Sequence, residues 1–160
     1  MQNKFLQIKK AKNHEYYYAE RLGIDSIAFV LFDRQKGYGL IKEFKPPIDE
    51  FVITAFGGSI DKDKSLLEIV KDEVKEEAGY TVLDCDILYR GKRFVSTQMN
   101  QFCHLYLVDV SGLIPGEKEP ETYLESIAKV VWLKYRDVIS LDFLDWKAQA
   151  IIATEGGLRV

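Results

Sequence analysis

The segment from Ser65 to Gly79 carries the strongest structural signal in the sequence, because its apolar residues recur at the spacing of an α-helix. Those residues are Leu66, Leu67, Val70, Val74 and Ala78. Ser65 and Glu68 form the S-x-x-E pattern of a capping box, which marks the first turn of a helix. Gly79 stands after the last apolar position, where glycine commonly ends a helix. We therefore predict a helix over residues 65–78 with one buried face.

Short apolar runs on both sides of this helix predict a sheet. Alternation and β-branched residues indicate strands at 26–32, 38–44 and 51–56 before the helix and at 81–89, 102–110 and 130–133 after it. Residues 112–122 contain two prolines and are predicted to form a loop, and terminal helices are predicted at 135–140 and 143–154. This order of elements predicts an α/β (α+β) fold, in which helices cover a mixed central sheet.

Length and composition limit the class of protein. With 160 residues and 47% hydrophobic content, the chain can bury a core, and we expect a single domain over residues 1–160. A net charge of −3 disfavours binding to bulk nucleic acid. No apolar run approaches the ~18 residues of a membrane-spanning helix, and the N-terminal segment lacks the apolar core of a secretory signal. The two cysteines show neither metal-binding nor disulfide spacing, so we expect a cytoplasmic protein without a membrane partner.

Three glutamates lie beside the buried face of the predicted helix. At about 100° per residue, with Glu73 at 0°, Glu77 falls at about 40° and Glu76 at about 300°, whereas Lys71 and Lys75 point away. Three like charges at the edge of an apolar face are costly unless a cation neutralises them. Since hard divalent cations prefer carboxylate oxygens, the cluster indicates a metal site. The alternative is a solvated, glutamate-rich helix face.

A glycine pair precedes the helix. Gly57 and Gly58 follow a predicted strand, and such a pair lets the backbone approach a ligand closely. From Gly58 to Tyr80 the sequence resembles the Nudix box, G-x5-E-x7-R-E-U-x-E-E-x-G-U, in which U is an apolar residue. The matching positions are Gly58, Glu73, Val74, Glu76, Glu77 and Gly79, with Tyr80 as a loose match. Lys64 stands in place of the first Glu of the box, and Asp72 stands in place of its Arg.

The resemblance is to the ADP-ribose and nucleotide-sugar pyrophosphatase branch of the Nudix hydrolases, to which segments 41–47 and 51–61 are also similar. It implies a Nudix-like α/β/α sandwich and metal-dependent hydrolysis of the pyrophosphate bond in nucleoside diphosphate derivatives. The implied cofactor is Mg²⁺ or Mn²⁺, and the implied partner is a small-molecule nucleotide substrate. A homodimer is common in this branch.

The resemblance also implies roles for individual residues. The implied metal ligands are Glu73, Glu76, Glu77 and the backbone carbonyl of Gly57. Many members add a carboxylate from a late loop, where this chain has Glu117, Glu119, Glu121 and Glu125. We predict catalytic roles for Glu76, Glu121 and Glu119, with Glu121 preferred as the late-loop base. The predicted substrate-binding residues are Lys45, Gly58 and Arg93. Lys45 stands at the position of a phosphate-binding Arg of this branch, and a solvated loop lysine is the alternative. For Arg93, a position in a plain connecting loop is an equally good explanation.

The two departures from the box leave two functions open. The box pairs a Glu with an Arg at these two positions, and Lys64 and Asp72 carry the same two charges in reversed order. Contact between Lys64 and Asp72 requires Lys64 to precede the helix and fold back. Independent drift of the two positions is the other explanation. The first function is an active pyrophosphohydrolase, which the three retained glutamates favour. The alternative is a catalytically weak or inactive Nudix domain that binds or senses a nucleotide.

Overall fold

The computed structural model describes residues 6–21, 25–60, 63–120, 122–141 and 145–156. An N-terminal hairpin pairs β1 (Gln7–Lys10) with β2 (Tyr17–Glu20). The main sheet contains β3 (Ser26–Asp33), β4 (Gly37–Lys45), β5 (Glu50–Thr54), β6 (Phe56–Ser59), β7 (Ile87–Phe94), β8 (Phe102–Asp109) and β9 (Lys129–Leu133). The helices in the described ranges are α1 (Leu66–Ala78), α2 (Tyr123–Ile127), α3 (Tyr135–Ile139) and α4 (Trp146–Gly156).

The main sheet is mixed, as the sequence predicts. Its strand order is β5-β4-β3-β8-β7, with β6 also paired to β3 and β9 also paired to β4. The β3–β8 pair is parallel and the other pairs are antiparallel. Alternate residues of β3 face opposite layers, so that Ile27 and Phe29 pack towards α1 while Ala28 and Val30 pack towards α4. The result is the predicted α/β/α sandwich.

Helix α1 is held firmly on one face of the sheet. Its buried residues are Ile69, Val70, Val74 and Ala78. They pack in the same core as Phe29 and Phe56, whose rings stack with centroids 4.9 Å apart. The capping box is present at Ser65 and Glu68, and Gly79 ends the helix with a left-handed φ of 77°. The predicted helix and both of its end signals are therefore confirmed.

Two strand predictions need correction. Residues 81–89 were expected as one strand, but a 3-10 turn occupies Asp84–Asp86 and β7 begins only at Ile87. The Asp86 carboxylate accepts a hydrogen bond from the Leu83 backbone N–H at 2.8 Å, which turns the chain locally. Residues 51–56 were expected as one strand and are two, because the chain leaves β4 after Thr54 and pairs with β3 from Phe56.

Two further elements lie outside the predicted set. Helix α2 begins at a second capping box, formed by Thr122 and Glu125, and this T-x-x-E pattern is visible in the sequence. The β1–β2 hairpin adds a second, two-stranded sheet, which bonds to the loop before β8 through the Ala19 N–H and the Gln98 carbonyl at 2.8 Å. Among the described residues, no helix has the length and apolar character needed to cross a bilayer.

Candidate active site

The glycine pair of β6 and the carboxylates of α1 meet at one place. The Gly57 backbone N–H donates a hydrogen bond to Oε2 of Glu77 at 3.3 Å. A Cβ added to Gly58 would overlap the Glu73 carboxylate, so that side chain lies directly against the strand backbone. Pairing of β6 with β3 and burial of the apolar face of α1 fix both elements. The structure thus brings Gly57, Gly58, Glu73 and Glu77 together, as the sequence predicts.

Burial and the charges of three other carboxylates affect the pKa of Glu77. Burial raises the pKa of Glu77 to about 8, and the charge of Glu73 adds to this rise, followed by smaller effects of Glu43 and Glu125. We refer to Glu43, Glu73, Glu77 and Glu125 as the carboxylate cluster. Glu43, Glu73 and Glu125 thus each add to the cost of ionising Glu77. The cluster therefore concentrates negative charge that a bound cation would neutralise.

Glu43 was missed by sequence reasoning, although a signal for it exists. Residues 41, 43 and 45 of β4 alternate on one face, and Ile41 is buried in the α1-side core. Oε1 of Glu43 accepts a hydrogen bond from Oγ1 of Thr54 and is 2.7 Å from Nζ of Lys45. Lys45, predicted to bind substrate phosphate, therefore borders the carboxylate cluster through its ion pair with Glu43.

The late-loop glutamates divide into different environments. Glu119 forms an ion pair with Lys75 at 2.9 Å, and its backbone N–H donates to the Glu76 carbonyl at 3.1 Å. Its carboxylate is thus engaged by a cation of α1 that the helical wheel places away from the cluster. Glu125 is the late carboxylate whose charge acts on Glu77. Glu121 lies outside the described residues, and its role stays a prediction.

Arg93 lies on β7 at the edge of the sheet. Its side chain is exposed and donates a hydrogen bond to the Lys92 carbonyl at 3.0 Å. Strands β3 and β8 separate β7 from β6 and its glycine pair. These contacts do not bring Arg93 to the carboxylate cluster.

Lys64 and Asp72 are in contact, as a reversed ion pair at these two positions of the box requires. Nζ of Lys64 is 2.5 Å from Oδ2 of Asp72. Lys64 precedes the Ser65 cap and folds back along the first turns of α1. The pair raises the pKa of Lys64 through its hydrogen bond to Asp72. The charges of the family pair are therefore reversed here while an ion pair is kept.

The donor chemistry of the site fits a hard divalent cation. In the described ranges, no group of three or more His, Cys, Asp or Glu side chains is already arranged to hold a metal ion. The fit rests instead on the type of donor and on charge, since hard divalent cations such as Mg²⁺ prefer carboxylate oxygens. Burial, followed by the charge of Glu73, raises the pKa of Glu77 to about 8, and a divalent cation beside this carboxyl group would favour its ionised form.

Comparison with known proteins identifies the family. The family model of the NUDIX domain matches residues 24–154, so the chain belongs to the Nudix family and is a Nudix-type pyrophosphohydrolase. A similar solved structure is described as the crystal structure of ADP compounds hydrolase, with a TM-score of 0.74 and 16% sequence identity. That match covers 100% of this chain and 92% of the other. No curated protein sequence matches.

Proposed function

We propose that this protein is a divalent-metal-dependent pyrophosphohydrolase that cleaves the phosphoanhydride bond of nucleoside diphosphate derivatives of the ADP-ribose or nucleotide-sugar type. The observation that carries the proposal is the position of the Glu77 carboxylate. It is partly buried, hydrogen-bonded to Gly57 and adjacent to Glu73, with a pKa raised to about 8. A carboxylate in such surroundings is costly without a cation, and a metal site explains its presence.

Glu73, Glu76 and Glu77 would hold Mg²⁺ or Mn²⁺, together with the Gly57 carbonyl. When bound, the metal would polarise the phosphoryl oxygens and lower the pKa of an attacking water. Lys45 borders the site beside Glu43 and provides a positive charge for a phosphate oxygen. Glu125, on α2, is the carboxylate of this late segment whose charge acts on Glu77, and we assign it the task of accepting the proton from water. Gly58 leaves the Glu73 carboxylate free to approach the strand.

The substrate class is supported by two similarities. The sequence resembles the branch that hydrolyses ADP-ribose and nucleotide sugars, and the structural relative is described as a hydrolase of ADP compounds. Because both point to a nucleoside diphosphate joined to a second group, we place an ADP-linked compound first. We further propose that the protein works in the reducing cytoplasm, since Cys85 and Cys103 are both free thiols.

A substrate panel tests the proposal. The protein is incubated with ADP-ribose, ADP-glucose, UDP-glucose and diadenosine diphosphate, each with Mg²⁺, Mn²⁺ or EDTA, and products are identified by mass spectrometry. We expect cleavage of each substrate into a nucleoside monophosphate and a second phosphate-bearing product, which is a sugar phosphate for ADP-ribose and the nucleotide sugars. We expect no cleavage in EDTA. Binding of a nucleotide without turnover under any metal condition would overturn the hydrolase assignment and favour the sensor function. The Glu77→Gln variant, which should show no turnover, is the control that any cleavage observed comes from this site.

A further inference from the structure

The loop before α2 is fastened to the end of helix α1. The Gly116 N–H donates to the Gly79 carbonyl at 2.8 Å, and the Glu119 N–H donates to the Glu76 carbonyl at 3.1 Å. The approach is so close at Gly79 that an added Cβ would lie 2.5 Å from the Gly116 carbonyl oxygen. These contacts hold the intervening residues against the helix that carries Glu73 and Glu77.

Lys118 lies in sequence between these two attachment points, at Gly116 and Glu119. Its Nζ donates a hydrogen bond to the Ala128 carbonyl at 3.1 Å, and its side chain is half-buried. Lys42 pairs with Lys129 in the β4–β9 register, and Ala128 directly precedes this pair, so continuing the register places Ala128 opposite Glu43. Burial lowers the pKa of Lys118, and the charge of Glu77 opposes this change. Lys118 is therefore a partly desolvated cation that contacts the residue before β9 and whose charge interacts with that of Glu77.

A neutral carbonyl is a modest partner for such a cation. An ammonium group has three donors, and the Ala128 carbonyl accepts one of them. An anionic oxygen in the site would give a stronger, charge-assisted hydrogen bond. At the same time, a positive charge beside Glu77 opposes the binding of a divalent cation to that carboxylate. The position of Lys118 thus favours an anion and disfavours a metal.

We propose that Lys118 is a phosphate-binding residue of this site, which holds a phosphate oxygen of the substrate and weakens metal binding until the substrate is present. The inference rests on the proposed function, because it takes the substrate to be a phosphoanhydride bound beside a divalent metal. It adds to the site a second cation, after Lys45, that the family box does not contain.

The experiment separates the two effects of the Lys118 charge. Mn²⁺ binding without nucleotide is measured by isothermal titration calorimetry, and KM and kcat are measured with ADP-ribose at saturating Mn²⁺. We expect Lys118→Met to bind Mn²⁺ about three- to tenfold more tightly, because one repulsive charge is lost. We expect its KM to rise about tenfold or more, because a charge-assisted hydrogen bond is lost. Lys118→Arg keeps the charge and should change both quantities less.

Lys75→Met is the matched control, because Lys75 belongs to the same contact region and pairs with Glu119 on the exposed side of α1. It should alter neither quantity by more than about twofold. Weaker Mn²⁺ binding by Lys118→Met would indicate a structural role for the loop and would overturn the inference, as would an unchanged KM with unchanged Mn²⁺ affinity. If the wild-type protein hydrolyses no member of the panel, the proposed function fails, and the Mn²⁺ titration still decides whether Lys118 opposes the metal.

Discussion

The carboxylate of Glu73 occupies the space where any residue other than glycine at position 58 would carry its Cβ. Gly58 has no positive φ in this structure, so backbone conformation does not require glycine here. The requirement comes from the close approach of a side chain on α1 to the backbone of β6. A glycine that sequence reasoning links to substrate binding therefore acts first by giving a metal-ligand candidate its position.

We expect Gly58→Ala to lower kcat by about tenfold or more while the protein remains folded, because the methyl group displaces the Glu73 carboxylate and misplaced groups lose large factors in rate. Turnover of the best panel substrate and thermal unfolding are the measurements. Gly116→Ala is the control, because a Cβ there would lie 3.6 Å from the Gly79 carbonyl oxygen, an ordinary contact. Equal losses of turnover in the two variants would contradict the role given to Gly58.

The stability of the metal-free protein should depend on the charge of Glu77. Its pKa is raised from 4.5 to about 8, so the folded state binds this proton more tightly than the unfolded state. The stabilising contribution is complete below about pH 4.5 and is lost as the pH rises through about 8. We expect the free energy of unfolding in EDTA to fall by on the order of 1–3 kcal/mol across this range.

Urea denaturation at about pH 5 and about pH 9 measures this change. Glu77→Gln removes the titrating group and should reduce the pH dependence, while Mg²⁺ should restore stability to the wild-type protein at high pH. The same variant should show no turnover, since an amide is a poor replacement for a metal-binding carboxylate. An identical pH profile for the variant and the wild type, or full turnover at saturating Mg²⁺, would show that Glu77 has been assigned wrongly.

The local pattern of α1 was sufficient to predict the helix and which of its glutamates border the buried face. Its apolar period determines which side of the helix is buried, and the positions of Glu73 and Glu77 follow from that face. Its two ends are specified by the capping box at Ser65 and by Gly79. The partner glycines precede it by a few residues, so their proximity is also a local property.

Other features depend on contacts between distant segments. Alternation along β4 assigns Glu43 to the α1-side face, but its proximity to Glu77, like the contact of Lys118 with Ala128, depends on the packing of segments that are distant in sequence. The division of residues 51–56 into two strands depends likewise on which neighbour each half finds. Glu119 and Glu125 lie in the same acidic stretch, but their surroundings differ, because Lys75 pairs with Glu119 whereas Thr122 forms a capping box with Glu125.

The ion pair between Lys64 and Asp72 predicts coupling between the two sites. Lys64→Glu would place two carboxylates together, and Asp72→Arg would place two cations together, so each single variant should lose turnover by about three- to tenfold. The double variant restores an ion pair in the family orientation and should recover most of the activity. Steady-state kinetics on all four proteins forms a double-mutant cycle. If the two substitutions change turnover independently, and Asp72→Arg alone increases it, the two positions have drifted independently and do not act as a reversed ion pair.

The last prediction distinguishes the late-loop carboxylates. Glu125→Gln keeps the capping box with Thr122, because glutamine can replace glutamate at that position, and it removes one negative charge from the surroundings of Glu77. If Glu125 accepts the proton from water, kcat should fall by about 100-fold or more at unchanged thermal stability. Glu119→Gln breaks only the exposed ion pair with Lys75 and should change kcat by less than about threefold. The kcat of Glu121→Gln is measured in the same way, since Glu121 is the base preferred from the sequence. A large loss confined to Glu119→Gln or Glu121→Gln would move the base to that residue and leave Glu125 with its capping role alone.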